Sequence, residues 1–336
     1  MDEDRINQGS EPNTINDIDL DEIERLRKEA LALESPRPKM DRAAYFRAQM
    51  QQAKDRRRRN RILNILLVVF GVIFLVSAFF LIKYFYDSKQ NKELVHSLKE
   101  MIEDDGTSGS GAVTGDDPSG NGFTGSSGAR VPEFVEVGDR KLQRKFRNLY
   151  EKNKDFIGWL TIEGTSVDLP VMYTPSNEQK YLRLNFEGKY ALAGTPFIAA
   201  ASDPVKPTTN VIIYGHNMKD GSMFSDILQY KDESFYKEHK YIQFDTLDGN
   251  GIYEVIAAFP GQVLNVGEEG FRYYDFHEAH SAEEFDTFIN EVKQRCTYTI
   301  PTTASYGDRL ITLSTCEDSG ASEGKRYVIV AKKVSE

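Results

Sequence analysis

Cysteine and tryptophan are scarce in this 336-residue sequence, which contains two cysteines and one tryptophan. The two cysteines, Cys296 and Cys316, allow no more than one disulfide. Cys296 ends a stretch, residues 284–296, in which apolar residues recur at helical spacing. This pattern favours a buried thiol in a core helix over a disulfide, and it makes Cys316 the candidate for chemistry.

Charge is absent from residues 62–82, a run rich in Ile, Leu, Val and Phe. A membrane-spanning helix needs about 20 such residues, so the run predicts a transmembrane helix. The alternative is a secretory signal peptide, which has a shorter apolar stretch and a brief basic leader. The basic residues cluster before the run, at Arg56, Arg57, Arg58, Arg59 and Arg61. The positive-inside rule therefore predicts a cytoplasmic N-terminus and an extracytoplasmic C-terminal domain.

The net charge of −10 at pH 7 is unevenly distributed along the chain. Residues 1–34 carry 11 acidic and 4 basic side chains, whereas residues 35–61 carry 2 acidic and 10 basic side chains. Beside a membrane span, the basic cluster is interpreted as a topology signal that attracts anionic lipid headgroups. This interpretation argues against nucleic acid as a partner.

Composition divides the chain into five parts. Residues 1–61 are predicted to be a cytoplasmic tail, acidic and then basic, and residues 62–86 the transmembrane helix. Residues 87–102 keep their apolar side chains on one side and predict a juxtamembrane helix. Residues 103–130 are rich in Gly, Ser and Asp and predict a flexible linker. Residues 131–336 are predicted to form one extracytoplasmic globular domain.

The globular domain is predicted to be mainly β. It opens with an amphipathic helix over residues 139–157, and a second helix over residues 281–296 is inserted between strands 6 and 7. Eight strands with few helices suggest a closed barrel. The eight predicted strands are residues 159–162, 167–173, 194–199, 210–214, 241–246, 251–259, 309–315 and 326–332.

Three residues with complementary chemistry lie at the ends of apolar strands. His216 follows Asn210-Val-Ile-Ile-Tyr-Gly, Cys316 follows Leu310-Ile-Thr-Leu-Ser-Thr, and Arg326 opens Arg-Tyr-Val-Ile-Val-Ala. A cysteine is a good nucleophile only as a thiolate, which a nearby imidazolium or guanidinium stabilises. Each residue alone has an ordinary alternative: a buried structural cysteine, a surface histidine or a solvated arginine. Their coincidence at three strand ends favours a nucleophilic site.

No metal or cofactor site is expected. His239, His277 and His280 lie in polar segments without the spacing of paired metal ligands. Gly267 and Gly270 flank an acidic turn and form no phosphate-binding pattern.

Three segments closely resemble the signature motifs of sortases, the membrane-anchored cysteine transpeptidases of Gram-positive bacteria. They are Tyr214-Gly-His216-Asn-Met218, Thr312-Leu-Ser-Thr-Cys316 and Lys325-Arg326-Tyr-Val-Ile-Val330. The similarity covers about residues 131–335 and is greatest to class B, because of the helix before the barrel, the segment at residues 181–189 and the inserted helix. Class C enzymes carry a lid with an Asp-Pro-aromatic motif, and Asp117-Pro-Ser119 lacks the aromatic residue.

The resemblance implies a role for each of the three strand-end residues. Cys316 would attack the carbonyl of a Thr in a C-terminal sorting motif to form a thioester, with His216 as general acid and base. Arg326 would stabilise the oxyanion or hold the substrate backbone. Residues near the nucleophile and the histidine, or in the class B segment, are further candidates for binding substrate: Ser314, Thr315, Glu317, Tyr214, Tyr181 and Asn185.

The implied partners are surface proteins that bear a C-terminal sorting signal, and an amine of cell-wall peptidoglycan or of its lipid-linked precursor. Two alternatives stay open. One is a pilin-polymerising sortase, in which a Lys side chain is the acceptor. The other is a non-catalytic barrel that binds surface proteins. The thioester could also be hydrolysed, because nothing in the sequence excludes water as the acceptor.

Overall fold

A computed structural model describes residues 20–33, 42–107, 133–316 and 324–335. The chain divides into two compact units, Met1–Phe79 and Phe80–Glu336. Its helices are α1 (Leu20–Leu33), α2 (Arg42–Thr107), α3 (Arg147–Lys152), α4 (Glu233–Glu238) and α5 (Ala282–Gln294), with 3-10 helices at Arg144–Phe146, Glu178–Arg183, Ser225–Lys231 and Tyr273–Asp275. Its strands are β1 (Phe134–Val137), β2 (Arg140–Gln143), β3 (Phe156–Thr161), β4 (Asp168–Met172), β5 (Phe197–Ile198), β6 (Asn210–Tyr214), β7 (Tyr241–Thr246), β8 (Ile252–Gln262), β9 (Leu310–Cys316) and β10 (Lys325–Ser335).

Strands β3 to β10 close into an eight-stranded barrel, in the order β10-β8-β7-β3-β4-β5-β6-β9. The predicted barrel is therefore confirmed, and each predicted strand corresponds to one strand of it. The largest differences in length are at two strands. At the third predicted strand, residues 194–199, only Phe197–Ile198 pairs with neighbours, and the eighth, residues 326–332, extends over Lys325–Ser335.

Parallel pairing sets the position of two strands that end near the candidate site. Most neighbours in the barrel are antiparallel, but β6 and β9 run parallel, in register from Asn210 opposite Leu310 to Tyr214 opposite Ser314. The antiparallel partner of β9 on its other side is β10, in which Arg326 lies opposite Cys316. The ends of β6 and β9 and the start of β10 therefore lie side by side.

Strands β9 and β10 are buried on both their inner and their outer faces. Inward-facing residues such as Leu313 and Ile329 belong to the main core. Outward-facing residues such as Val328 join a second core beneath α5. The apolar stripe of α5 consists of Phe285, Phe288, Ile289 and Val292. Ser281 caps this helix by accepting a hydrogen bond from the Glu284 N–H, and the helix predicted between strands 6 and 7 is confirmed.

The N-terminal helix expected over residues 139–157 is much shorter in the structure. The segment instead contains part of a β1–β2 hairpin, a 3-10 turn, helix α3 and the start of β3. Gly138, with φ 62°, allows the tight turn of the hairpin, and Asn153 takes an extended conformation that ends α3. Leu142 and Phe156 are buried as helical spacing predicted, but a strand holds each of them.

Helix α2 contains the predicted membrane span. Within the described residues it is the one helix that is long and apolar enough to cross a membrane. Helix α2 continues to Thr107, beyond the predicted end of the juxtamembrane helix at residue 102. The predicted linker lies mostly in residues 108–132, outside the described residues.

The C-terminal part of α2 packs against the barrel. Leu98 is 1% exposed and belongs to the main core, while Asn91 is 9% exposed. Lys99 forms an ion pair with Asp168 at the start of β4. The same carboxylate accepts a hydrogen bond of 2.7 Å from Nε1 of Trp159. The C-terminal part of α2 is therefore packed on the barrel through Leu98 in the core and through the Lys99–Asp168 ion pair.

The packing of α2 predicts the effect of Leu98→Ala. The variant should lower the free energy of unfolding by about 2–4 kcal/mol, because it leaves a cavity in the core. Urea unfolding of the whole chain in detergent would be followed by the emission of Trp159, the single tryptophan. Leu192→Ala is the matched control, since Leu192 is 38% exposed and its loss should cost less than about 1 kcal/mol. Equal effects of the two variants would contradict the packing.

Candidate active site

The backbone brings the three strand-end residues to one edge of the barrel. The Gly215 N–H donates a hydrogen bond of 3.2 Å to the Ser314 carbonyl, which extends the β6–β9 pairing by one step. His216 follows Gly215, and Cys316 lies two residues beyond Ser314 on the adjacent strand. Arg326 lies opposite Cys316 in the β9–β10 register. The arrangement brings a base, a thiol-bearing residue and a permanent cation to three neighbouring strands.

A backbone carbonyl orients the ring of His216. Its Nε2 lies 2.9 Å from the carbonyl oxygen of Leu182, in the 3-10 helix Glu178–Arg183. A carbonyl oxygen can only accept a hydrogen bond, so Nε2 carries a hydrogen. In the neutral ring the lone pair is therefore on Nδ1, which is the nitrogen that can take a proton.

Burial lowers the pKa of His216 below the usual histidine value. The Leu182 carbonyl opposes this effect because it accepts a hydrogen bond from the ring, while the positive charges of Arg183 and Arg326 reinforce it. The imidazolium of His216 is therefore a stronger acid than that of an exposed histidine, and at neutral pH the neutral ring predominates.

Gly194 allows the backbone to pass close to the Leu182 carbonyl. Its φ of 59° lies in the left-handed region that favours glycine. A Cβ at this position would approach the carbonyl oxygen of Leu182 to 2.5 Å and that of Tyr181 to 2.6 Å. The Thr195 N–H also donates to the Tyr181 carbonyl at 3.0 Å. The close approach of residue 194 to the 3-10 helix therefore supports the carbonyl that orients His216.

Most N–H donors of the Arg326 guanidinium are available to bind a ligand. Its side chain is partly buried, and Nη1 donates to the carbonyl of Lys325 at 2.9 Å. No carboxylate lies within ion-pair distance of Arg326 in the part of the chain that the structure describes. A guanidinium has five N–H donors, so Arg326 can bind an oxyanion or a substrate carbonyl.

Ser314 and Thr315 face opposite sides of β9. Oγ of Ser314 lies 2.8 Å from the hydroxyl of Tyr273, and both are buried on the outer side of the barrel. Thr315 lies on the inner side with Leu313, by the two-residue period of a strand. Its Oγ1 is buried without a hydrogen-bond partner among the described residues. The two hydroxyls therefore have different environments, and only that of Thr315 lacks a partner.

Tyr214 is partly buried at the end of β6, with its ring centroid 5.6 Å from that of Phe197. Burial raises the pKa of its phenol, and the charge of Glu178 adds to this effect, while that of Arg326 opposes it. The phenol therefore stays neutral at physiological pH, and its ring packs beside the residues that lead to His216.

The two candidates from the class B segment hold local structure. Tyr181 is 1% exposed; its hydroxyl donates to Asp155 at 2.8 Å and accepts from Asn153 Nδ2 at 2.8 Å. Asn185 Oδ1 accepts hydrogen bonds from the N–H groups of residues 187 and 189, at 3.0 and 2.9 Å, and so closes a turn. These contacts support the 3-10 helix and the following loop and give Tyr181 no direct access to substrate. Glu317 lies outside the described residues.

Residues that the sequence did not reveal also contribute to the site. The Leu182 carbonyl binds the catalytic candidate His216, yet a backbone group has no side-chain signature. Arg183 acts on His216 through its charge, and Gly194 acts through its close approach to the backbone. The sequence shows a glycine at residue 194, but it does not tell which carbonyl this glycine approaches.

Comparison with known proteins identifies the family. A model described as the sortase domain matches residues 160–334, more than half of the chain. This chain belongs to the sortase family. Sortase B of Staphylococcus aureus is 31% identical over 191 residues, which cover 57% of this chain and 75% of that protein. Sortase B of Listeria monocytogenes is 35% identical over 195 residues, which cover 58% of this chain and 76% of that protein.

Solved sortase B structures have the same fold. A Staphylococcus aureus sortase B–substrate complex covers 74% of this chain and 99% of its own, with 25% identity and a TM-score of 0.59. A crystal structure of the same enzyme at 30% identity has a TM-score of 0.52 and covers 58% of this chain and 89% of its own. The similarity to class B expected from the sequence is confirmed, and the chain is a class B-like sortase, which implies cysteine transpeptidase activity.

The charge of Arg183 predicts how the pKa of His216 responds to substitution. Arg183→Gln removes a positive charge that disfavours the imidazolium, so the pKa of His216 should rise. The sortase has five histidines, so NMR of the ring-labelled protein can follow each one during a pH titration. Lys189→Gln removes an exposed cation that pairs with Glu187, and should leave the pKa of His216 unchanged. A fall after Arg183→Gln would contradict the assignment.

The buried hydroxyl of Thr315 predicts an unusual effect on stability. Thr315→Val should leave the free energy of unfolding unchanged or raise it by about 1–2 kcal/mol, because it removes an unpaired buried polar group. Thr312→Val is the matched control on the same strand. The Thr312 hydroxyl donates to Asn210 Oδ1 at 2.9 Å in a buried pair, so its loss should destabilise by about 1–3 kcal/mol. Equal losses in urea unfolding would mean that Thr315 has a partner.

Proposed function

We propose that this sortase is a membrane-anchored class B enzyme that cleaves a C-terminal sorting motif after Thr and joins the new carboxyl end to an amine of cell-wall peptidoglycan or of its lipid-linked precursor. The observation that carries the proposal is the strand register. Through it, Cys316 lies opposite Arg326 and next to the end of the strand that precedes His216. Acyl transfer through a thiol requires these three functions at one point: nucleophile, proton carrier and oxyanion ligand.

The first half-reaction forms a thioester. The Cys316 thiolate attacks the carbonyl carbon of the scissile Thr, and the carbonyl oxygen becomes an oxyanion. When this intermediate collapses, the C–N bond breaks and the departing amine takes a proton from the imidazolium of His216. The low pKa of His216 favours this step, because a stronger acid protonates the leaving amine more readily, although fewer molecules carry the imidazolium at neutral pH.

The second half-reaction reverses the proton movement. An acceptor amine attacks the thioester carbon and gives a proton to the neutral ring of His216. The C–S bond then breaks and Cys316 leaves as a thiolate. The Leu182 carbonyl holds the Nε2 hydrogen, so the proton that moves in both steps is assigned to Nδ1.

Arg326 would bind the oxyanion in both half-reactions. Its charge is permanent, and its planar group presents several donors at once, which an ammonium group does not. Its partly buried position strengthens the interaction relative to bulk water. A lysine at this position would keep the charge but lose the directed pair of donors.

Two further observations support the proposed location and substrate. The apolar segment of α2 is long enough to span a membrane, and the arginines before it favour a cytoplasmic N-terminus and an extracytoplasmic barrel. The structures similar to this sortase include a sortase B–substrate complex, and we extend peptide-substrate binding of that kind to this chain.

The test uses the whole chain in detergent with a panel of sorting-motif peptides, and mass spectrometry identifies the products. Three acceptors are compared: a peptidoglycan-stem amine, a peptide with a Lys side chain, and water alone. We expect cleavage after Thr and a covalent adduct with the stem amine. A preference for the Lys peptide would indicate a pilin-polymerising enzyme. Binding of peptide without any product would contradict the proposed enzymatic activity and favour a non-catalytic barrel that binds surface proteins.

Substitutions at the three strand ends should affect the products differently. Cys316→Ala should abolish the thioester and every product, and His216→Ala should remove almost all turnover. Arg326→Lys should lower kcat by about 100-fold, because an oxyanion donor is lost while the charge remains. Lys325→Ala removes the neighbouring exposed cation and should leave turnover nearly unchanged. Equal effects of Arg326→Lys and Lys325→Ala would contradict the role of Arg326.

A further inference from the structure

The membrane-proximal helix contacts the loop that follows His216. We call residues 87–103 of α2 the brace segment and residues 217–224 the His216 loop. Ser88 Oγ donates a hydrogen bond to Asp220 Oδ2, and Lys92 Nζ lies 3.5 Å from the same oxygen. The Asp220 side chain is 13% exposed, whereas that of Lys92 is 55% exposed. A largely buried carboxylate in the loop is thus bound by two side chains of the brace segment.

Asp220 also organises its own loop. Its Oδ1 accepts hydrogen bonds from the Ser222 N–H at 3.1 Å and from Ser222 Oγ at 2.6 Å. The Gly221 N–H donates to the Met218 carbonyl at 3.0 Å. One carboxylate therefore connects the brace segment, through Oδ2, to the tip of the loop, through Oδ1.

The base of the loop is bonded to His216 itself. The Phe224 N–H donates to the carbonyl of His216 at 2.9 Å. Ser225 Oγ lies between the ends of the loop: it donates to the Met218 carbonyl at 2.8 Å and accepts from the Met218 N–H at 2.9 Å. A short series of hydrogen bonds therefore connects the loop to the backbone of His216.

The brace segment is itself fixed to the barrel away from the loop. Leu98 is fully buried in the main core, and Lys99 forms an ion pair with Asp168 on β4. The contacts with Asp220 therefore connect the loop to an element that is held in place by hydrophobic packing.

The electrostatics of Asp220 favour the ionised form that these contacts require. Burial acts to raise its pKa, but hydrogen bonds from Ser222 and Ser88 and the charge of Lys92 outweigh burial, so the pKa lies below the usual value. At neutral pH the carboxylate is charged and can accept all of these bonds at once.

We propose that the brace segment, which precedes the matched sortase domain, positions His216 for proton transfer through Asp220. Lys92 and Asp220 are then positioning residues, and the helix that leads to the membrane span acts on His216 through the His216 loop. The catalytic part of this proposal rests on the proposed function, whereas the ordering of the loop does not. If the brace segment had a purely structural role, it would stabilise the whole barrel. Substitutions in it would then affect the loop no more than the other parts of the barrel.

The decisive comparison reverses one charge at each of two nearby positions of the same helix, of which only Lys92 contacts Asp220. Lys92→Glu sets a second carboxylate beside Asp220. Lys89→Glu is the control, because Lys89 is 77% exposed and pairs only with Glu93 among the salt bridges of the described residues. Lys92→Arg keeps the cation and should behave like the unsubstituted chain. All variants are made in the whole chain in detergent.

Hydrogen exchange measured by mass spectrometry reports on the loop without requiring turnover. In Lys92→Glu we expect amide exchange in residues 217–224 to accelerate about three- to tenfold, with the barrel strands unchanged. Lys89→Glu and Lys92→Arg should leave it unchanged. Equal exchange in Lys92→Glu and Lys89→Glu would overturn the proposal, as would acceleration spread evenly over the barrel.

Turnover of a sorting-motif peptide gives the second readout. In Lys92→Glu, kcat should fall about three- to tenfold while KM stays within about twofold, because the substrate groove is intact and only the proton carrier is displaced. Faster loop exchange with unchanged kcat would overturn the catalytic role. If the unsubstituted chain turns over no peptide while the loop responds as expected, the proposed function fails and the ordering of the loop by the brace segment stands.

Discussion

The parallel pairing of β6 with β9 is the constraint on which the rest of this structure depends. Parallel neighbours cannot be joined by a hairpin, so the chain between them, residues 215–309, must return to the opposite end of the barrel before β9 begins. This connection contains α4, β7, β8 and α5, which form one side of the barrel and its outer layer. The return of β9 beside β6 brings the ends of the two strands to the same edge of the barrel.

The register of this pair is fixed at the end opposite the site. Thr312 Oγ1 donates to Asn210 Oδ1 at 2.9 Å, and Asn210 Nδ2 donates to the Phe276 carbonyl at 2.8 Å. Both side chains are fully buried, so a shift of register would leave unpaired polar groups in the core. A one-residue slip would also exchange the inner and outer faces of β9. The polar pair therefore fixes which residues of β6 and β9 lie side by side, and so keeps the end of β9 next to the end of β6.

The sequence was sufficient to predict the barrel and the strand ends, because β-strands buried on both faces leave continuous apolar runs with polar boundaries. The same apolar spacing misled the prediction for residues 139–157, where Leu142 and Phe156 are buried by strands and only Arg147–Lys152 is an α-helix. The contact between His216 and the Leu182 carbonyl could not be predicted, since a backbone group carries no side-chain signal. Tyr181 was expected at the substrate, but its phenol is occupied by Asp155 and Asn153 in the interior.

The inserted helix contributes to the burial of the strand that ends at Cys316. The inner face of β9 is buried by the barrel core, and its outer face is covered by the layer that contains α5 and the 3-10 helix Tyr273–Asp275. The hydrogen bond between Tyr273 and Ser314 joins this layer to the strand two residues before Cys316. A strand that is packed on both faces and paired on both edges has little freedom to move. The backbone that leads to Cys316 is therefore rigid, whereas His216 is oriented by a carbonyl and a surface loop, so adjustment of the site to substrate is expected on the histidine side.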